Sequence, residues 1–493
     1  MNTKNTSYNQ ILKSTGIVGG TQVLSIIIGI ARTKVLAIVL GPAGIGILGI
    51  LQSTTELMRN ATGFGINFSA VKELAEVSNT GNQKQIAKAV TILRRWAIGT
   101  GLLGMLVTIA LCIPLSKYSF GSDSYALSIA IISVTLFTTS ISSSQIALLQ
   151  GLRKIGQMAK ATLYGVLLST SITIPLYWWL GIDGIVPGIV ITSLIGLIVS
   201  WLYSSKIKIE TPILSVSDTL KGGWNMARLG FFIVISGSVS IVTMYVVRAL
   251  IVNKMNIDAV GYFQASWIIA TVYINVVLNA MLADFFPRLS AVSNDDSMSN
   301  KLINEQLEMA LIIGSPMIVS LIAFAEFAIQ VLYSVSFEMA IPVLQWQLAG
   351  SFLVIIHWPL GVMFLAKNKG VFSLYVNIVW SITYFLLIFF GWDYFGFNVL
   401  GIAYFVSMLI CLITVFFSTR YLGKFSFSNI NLRYIVLYGA TSLLTLLNVL
   451  YNEGFSQYLI SSLLVMTVLL YSYTRLIKII DIKTIVQKTL KKM

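Results

Sequence analysis

Long apolar runs, most of about 20 residues or more, recur along the chain with short polar stretches between them. A helix rises about 1.5 Å per residue, so such a run crosses the roughly 30 Å hydrocarbon core of a bilayer. The alternation over about ten residues that marks a barrel strand is missing. The pattern therefore predicts an all-α polytopic membrane protein. Its fourteen expected spans are 14–40, 42–70, 90–115, 123–149, 158–180, 183–205, 227–252, 259–286, 305–333, 340–366, 370–391, 396–419, 432–451 and 455–476. Several are long enough to need tilt or an extension beyond the bilayer. The first residues are polar and the first run is long and lacks a small-residue cleavage site, so it reads as a retained anchor.

Basic residues order these spans. One set of loops carries Lys4, Lys13, Lys72, Lys84, Lys88, Arg94, Arg95, Arg153, Lys154, Lys160, Lys206, Lys208, Lys221 and Arg228. The same side continues through Arg288, Lys301, Lys367, Lys369, Arg420, Lys424, Arg433 and a lysine-rich tail, while the opposite loops hold only Lys117 and Lys254. Cytoplasmic loops accumulate Lys and Arg, so both termini are expected in the cytoplasm of a bacterial inner membrane. The outer loops are short and leave no scaffold for an extracytoplasmic catalytic site. The long connection 206–226, with Leu214, Leu220 and Trp224, reads as a linker able to lie on the membrane surface, and 480–490 has the same character.

Composition agrees. Of 493 residues, 56% are hydrophobic and 10% charged, against about 25% charged in a soluble protein. The formal net charge of +15 follows the loop bias, so no nucleic-acid partner is expected. Cys112 and Cys411 lie in apolar runs, and His357 is the single histidine. This set predicts no metal site and no cofactor.

The chain also repeats itself. Arg32 with Gly46, and Arg248 with Gly261, fall at one offset to within a residue or two. Gly151-Leu-Arg-Lys-Ile-Gly-Gln157 precedes a span ending near Gly181-Ile-Asp-Gly-Ile185; Phe364-Leu-Ala-Lys-Asn-Lys-Gly370 precedes one ending near Asn398-Val-Leu-Gly-Ile402. The expectation is a duplicated six-span unit: an N-terminal lobe 1–205, a linker 206–226 and a second lobe 227–422. Two extra spans, 423–478, and a basic tail, 479–493, follow. Six spans return the chain to the same side, so the lobes are expected to be related by a pseudo-two-fold axis along the membrane normal, with the substrate path between them.

Four cations fall inside spans: Arg32, Lys34, Arg59 and Arg248. An isolated charge at bilayer depth costs about 2.5–3.5 kcal/mol on insertion scales. Snorkelling to the interface accounts for Lys34 and Arg248 as well as a cavity does, and for Arg32 and Arg59 less well. Glu56, three residues before Arg59 on one helix face, is the expected internal partner. The surplus positive charge points to an anionic substrate, and the guanidinium fork suits a diphosphate. Asp284, four residues before Arg288, reads as half of a helix-surface ion pair; Glu326 has no sequence-local partner, and His357 reads as a packing histidine. These three are the remaining candidates for charge pairing or coupling.

Four segments carry a family resemblance: Leu40-Gly-Pro-Ala-Gly-Ile-Gly-Ile-Leu-Gly49, Val260-Gly-Tyr-Phe-Gln264, Gln345-Trp-Gln-Leu-Ala-Gly350 and Phe364-Leu-Ala-Lys-Asn-Lys-Gly-Val-Phe-Ser-Leu-Tyr375. In order and spacing, over about residues 10–420, the chain resembles the O-antigen translocases, the Wzx-type flippases of the multidrug/oligosaccharidyl-lipid/polysaccharide exporter superfamily. The resemblance implies a flippase moving a polyprenyl-diphosphate-linked glycan to the outer leaflet by alternating access, with Lys34 and Arg248 at basic positions of the family. Its implied partners are the lipid-linked glycan, the bilayer and polysaccharide assembly proteins. Ser351 and Asn377 stand where members can carry acids, so an H+ or Na+ coupling scheme does not transfer. A drug/cation antiporter predicts a more acidic cavity. A peptidoglycan-precursor flippase shares the charge logic, and a polymerase or ligase needs a large outer loop.

Overall fold

The computed structural model describes residues 2–80, 82–207, 209 and 212–479. Among these, every regular element is helical. The tail proposed to lie on the membrane surface falls outside the described residues. The chain divides into two compact units, Met1–Gly261 with Leu332–Ser334, and Tyr262–Val331 with Val335–Met493.

The first unit contains α1 (Asn2–Gly63), α2 (Ile66–Thr80), α3 (Gln83–Ala110), α4 (Cys112–Phe120), α5 (Ala126–Ile132), α6 (Val134–Gly151), α7 (Ile155–Leu180), α8 (Ile185–Ser204) and α9 (Val216–Lys254). The chain continues through α10 (Ile257–Trp267), α11 (Tyr273–Ala291), α12 (Asp296–Ala323), α13 (Ala325–Leu332), α14 (Ala340–Ala366), α15 (Gly370–Phe395), α16 (Val399–Gly423), α17 (Asn429–Tyr451) and α18 (Gly454–Ile479). Among the described residues, eleven helical segments are long and apolar enough to cross a membrane, and the chain is a multi-pass membrane protein. Three of these, Gly20–Gly63, Ile155–Ser204 and Gly370–Gly423, are 44, 50 and 54 residues long, well beyond one crossing.

Each long segment is interrupted. α1 breaks at Gly41, with φ 63° and ψ −170°, and Pro42 restarts the helix. This backbone region is open almost only to glycine, and proline suits the first helical turn. The second expected span then ends at Gly63 rather than at residue 70, because Phe64 and Gly65 both take positive φ and α2 starts anew. α7 and α8 meet at Gly181 (φ 57°, ψ −132°) and a 3-10 turn. α15 and α16 meet at Gly396 (φ 54°, ψ −138°) and a 3-10 turn.

A second pair of turns also matches. After α6, Arg153 takes φ 56°, its N–H donates to Gln150 O, and the Lys154 N–H donates to Leu149 O. After α14, Asn368 takes φ 56°, its N–H donates to Leu365 O, and the Lys369 N–H donates to Phe364 O. Left-handed closures of this kind satisfy carbonyls that a helix end leaves without partners. Both the glycine turns and these closures recur at the spacing read from the sequence repeat.

In the first unit α3 packs on α6, α6 on α8, α8 on α7 and α7 on α1, while α9 packs against α1, α2, α3 and α4. Those contacts place α9 with the first unit. Arg95 donates to Leu214 O (2.9 Å) and Thr219 Oγ1 (2.8 Å), and Trp96 Nε1 to Thr219 O (2.8 Å), which hold the linker's end on α3. In the second unit α14 packs on α12 and α16, and α12 also carries α17 and α18. Lys367 pairs with Asp296 at 2.7 Å, and Asn300 donates to Gly423 O at 3.2 Å. Asn431 donates to Asn304 (2.9 Å), and Tyr438 shares a hydrogen bond with Ser472 (2.6 Å), so the two extra helices are bound by buried polar contacts as well as apolar ones.

Candidate functional site

Intramembrane cations are informative only once their protein partners are counted. Arg32, on α1, is half-buried; among the described residues it makes no hydrogen bond or ion pair, and its Nε is fully buried. Lys34, two residues on, is engaged: its Nζ donates to the carbonyl of Tyr333 at 2.6 Å. Tyr333 lies in the short segment Leu332–Ser334 that belongs to the first unit. Arg248, on α9, is buried and reaches back to the Met244 carbonyl of its own helix at 3.3 Å. The helices carrying Arg32, Lys34 and Arg248 are packed neighbours.

Arg59 and Glu56 depart from the expected internal pair. Both are exposed, and no ion pair joins them among the described residues. The i,i+3 spacing puts the residues on one face but leaves each long side chain free to take a rotamer pointing away.

The other candidates sit in the second unit. Asp284 accepts from Arg288 at 3.1 Å, with Glu305 3.9 Å from the same guanidinium; both ends of the i,i+4 pair are exposed, so it contributes little stability. Contrary to the expectation of no sequence-local partner, Glu326 accepts from Gln330, one helical turn on, at 3.1 Å, and also from the Tyr458 hydroxyl of α18 at 2.8 Å. The tyrosine partner is 132 positions away, beyond the reach of any local pattern. His357 has a buried Nε2 with no hydrogen bond and lines a 240 Å³ cavity with Trp358 and Asn377. Ser351 lies 2.9 Å from the carbonyls of both Gln347 and Ala270, and can donate to either. Ala270 belongs to a π-helical turn, Ile268–Val272, where helical hydrogen bonding is disturbed. A neutral hydroxyl thus occupies a position that needs a donor. Among the described residues no group of three His, Cys, Asp or Glu could hold a metal ion.

Residues 35–342 match the polysaccharide biosynthesis protein family. The chain belongs to that family. No curated protein matches it. The fold is similar to that of the lipid II flippase MurJ in its inward closed conformation, with TM-score 0.68 and 17% identity over 93% of this chain and 98% of that one. An inward-facing multidrug resistance MATE family transporter of the MOP superfamily gives TM-score 0.66 and 16% identity over 82% and 96%. A MOP superfamily transporter from Pyrococcus furiosus, described as having a binding pocket of reverse polarity, gives 0.58 and 15% over 83% and 96%. At such identities the likeness is one of fold: this member of the polysaccharide biosynthesis family is folded like these solved proteins.

Proposed function

We propose that this chain is a flippase that carries a polyprenyl-diphosphate-linked oligosaccharide of the O-antigen type from the cytoplasmic to the outer leaflet. The observation carrying this reading is Arg32, a half-buried guanidinium on a membrane-spanning helix with no protein partner among the described residues. An arginine so placed costs several kcal/mol unless an anion or water answers it. A diphosphate answers it through bidentate hydrogen bonds. Arg248 on the packed neighbour α9 is the second proposed ligand, and Lys34 and Arg59 complete the proposed basic set. The family match and the MOP-type fold support transport rather than catalysis.

In this reading the three interrupted segments each cross twice, which makes fourteen crossings with both termini in the cytoplasm of an inner membrane. The matched turns support two six-helix lobes, 1–205 and 227–422, alternating in access, with 423–478 as two additional spans. The diphosphate exchanges its hydration for guanidinium contacts while the polyprenyl tail stays in lipid. Binding must not strongly favour one face, or release stalls.

The test is a leaflet-resolved transport assay on reconstituted protein with defined polyprenyl-diphosphate glycans, lipid II and imposed H+ or Na+ gradients. Movement of the O-antigen-type unit, lost in Arg32→Ala, is expected. Movement of lipid II alone would replace the proposed substrate with a peptidoglycan precursor, a reading that the MurJ-like fold also supports. Cation export without lipid movement would discard both.

A further inference from the structure

A cavity of about 770 Å³ lies in the first unit between α3, α6 and the end of α8. Its lining combines polar side chains, Arg94, Ser144, Gln145 and Ser204, with apolar ones, Ile98 and Trp201. None of its lining residues is acidic. The hydroxyls of Ser144 and Ser204 already donate to carbonyls of their own helices, those of Ile141 (2.7 Å) and Trp201 (3.2 Å). Gln145 uses its Oε1 to accept from Ser200 (2.6 Å), which turns the amide nitrogen, its donor end, away from that bond.

The two adjacent arginines of α3 have different fates. Arg95 is spent on Leu214 and Thr219. Arg94 is half-buried, lines the cavity and makes no hydrogen bond or ion pair among the described residues. A second cation stands at the same edge: Lys206, directly after Ser205 of the lining, lies 4.8 Å over the Tyr203 ring. The cavity thus offers N–H donors and positive charge, with no protein acceptor matched to Arg94.

The apolar lining identifies the rest of the occupant. Ile98 and Trp201 are 44% and 57% exposed, and Ile198 and Leu202, beside Trp201 on α8, are exposed too. An apolar surface therefore runs from the cavity mouth along the helices. Arg94 sits about three turns into α3 from the end that carries Lys84 and Lys88, at the depth of a leaflet's headgroups on the basic, cytoplasmic side.

We infer that this cavity is a binding site for the phosphate of an anionic phospholipid of the cytoplasmic leaflet, with Arg94 as its charged ligand and the chains lying along Ile98 and Trp201. The site is independent of the proposed glycan substrate and of Arg32 and Arg248.

Purified full-length protein is delipidated and incubated separately with dioleoylphosphatidylglycerol, with dioleoylglycerol, and with inorganic phosphate, and adducts are read by native mass spectrometry. Wild type is expected to retain a phosphatidylglycerol adduct that dioleoylglycerol does not form and millimolar phosphate does not displace. Arg94→Gln is expected to weaken retention by about tenfold or more, as for loss of a charge-assisted hydrogen bond, and Arg94→Lys to restore part of it. Ser205→Trp, which fills the cavity without removing charge, provides a second variant if Arg94→Gln folds poorly, and is expected to abolish the adduct. Equal retention by wild type, Arg94→Gln and Ser205→Trp overturns the site. Equal binding of dioleoylglycerol overturns the role of the phosphate. An Arg94-dependent phosphate adduct that displaces the lipid overturns the lipid assignment in favour of a soluble anion.

Discussion

Gly46 on α1 and Gly261 on α10 pack on one another. A Cβ built on Gly46 would overlap the Ile257 carbonyl oxygen and come 3.1 Å from the Gly261 nitrogen; a Cβ on Gly261 would overlap the Pro42 carbonyl. The obstructing atoms are backbone, which cannot swing aside as a side chain does. Small residues at both positions let the two helices approach to backbone contact.

Substituting either glycine is therefore expected to force the helices apart. Gly261→Val should lower stability by about 1–3 kcal/mol or more, the range for overpacking. Gly20→Ala, with nothing within 4 Å of the added Cβ, is the matched control. Thermal unfolding in detergent compares them; equal midpoints would refute the close packing.

Arg32→Ala and Arg248→Ala are each expected to reduce export by about tenfold or more, the scale of a lost charge-assisted contact to an anion, with normal membrane insertion. Complementation of a translocase-deficient strain, with immunoblotting of membranes, reads both quantities. Full export by both variants would remove the cationic ligand set.

Lys34 requires a different readout, because its ammonium is held by Tyr333 O at 2.6 Å. Lys34→Met is expected to cost about 1.5–3 kcal/mol, the range for a hydrogen bond from a charged donor, whether or not substrate is present. Lys34→Arg should recover part of that. A Lys34→Met protein with an unchanged unfolding midpoint would deny the contact a structural role.

Glu326→Gln and Tyr458→Phe form a double-mutant cycle across α13 and α18. Both groups are solvent-accessible, so a coupling at or below about 1 kcal/mol is expected. Glu326→Gln should transport normally; a collapse of gradient-driven transport in that variant, spared in Tyr458→Phe, would identify Glu326 as a coupling acid.

Glu73, on α2 outside the spanning segments, has its carboxyl pushed above the ordinary range by burial and, secondarily, by Glu76. A raised folded-state value favours the protonated form on folding. Its contribution is therefore fully present below the usual glutamate range and lost as pH rises through the folded value. Glu73→Gln is expected to raise stability at neutral pH and to flatten the decline of the unfolding midpoint that begins as pH rises from the ordinary carboxylate range. A wild-type and variant pair with parallel pH profiles would rule this out.

Much of the architecture was legible from residue order. The expected boundary between the first two spans, at residues 40–42, coincides with the interruption of α1 at Gly41. The paired segments around Arg153 and Asn368 pointed to duplication, and they close their helices with the same backbone hydrogen bonds. The Asp284–Arg288 pair was readable from i,i+4 spacing and is formed. Glu56 and Arg59 show the limit of the same rule, because a shared helix face does not fix two rotamers. Arg94 read only as one more loop cation, since the cavity beside it is assembled from helices distant in sequence.

Hydropathy and the positions of glycine and proline determined the helical membrane architecture, because bilayer thickness and backbone hydrogen bonding act on contiguous residues. Only the tertiary structure decided which charges are answered. Lys34 is met by a backbone carbonyl at Tyr333, and a carbonyl, common to every residue, leaves no mark in the sequence. Glu326 is met by Tyr458 from another helix, whereas Arg32 and Arg94 are met by no described residue. Those differences depend on which helix faces meet, and lipid-facing and protein-facing apolar surfaces read alike along the chain.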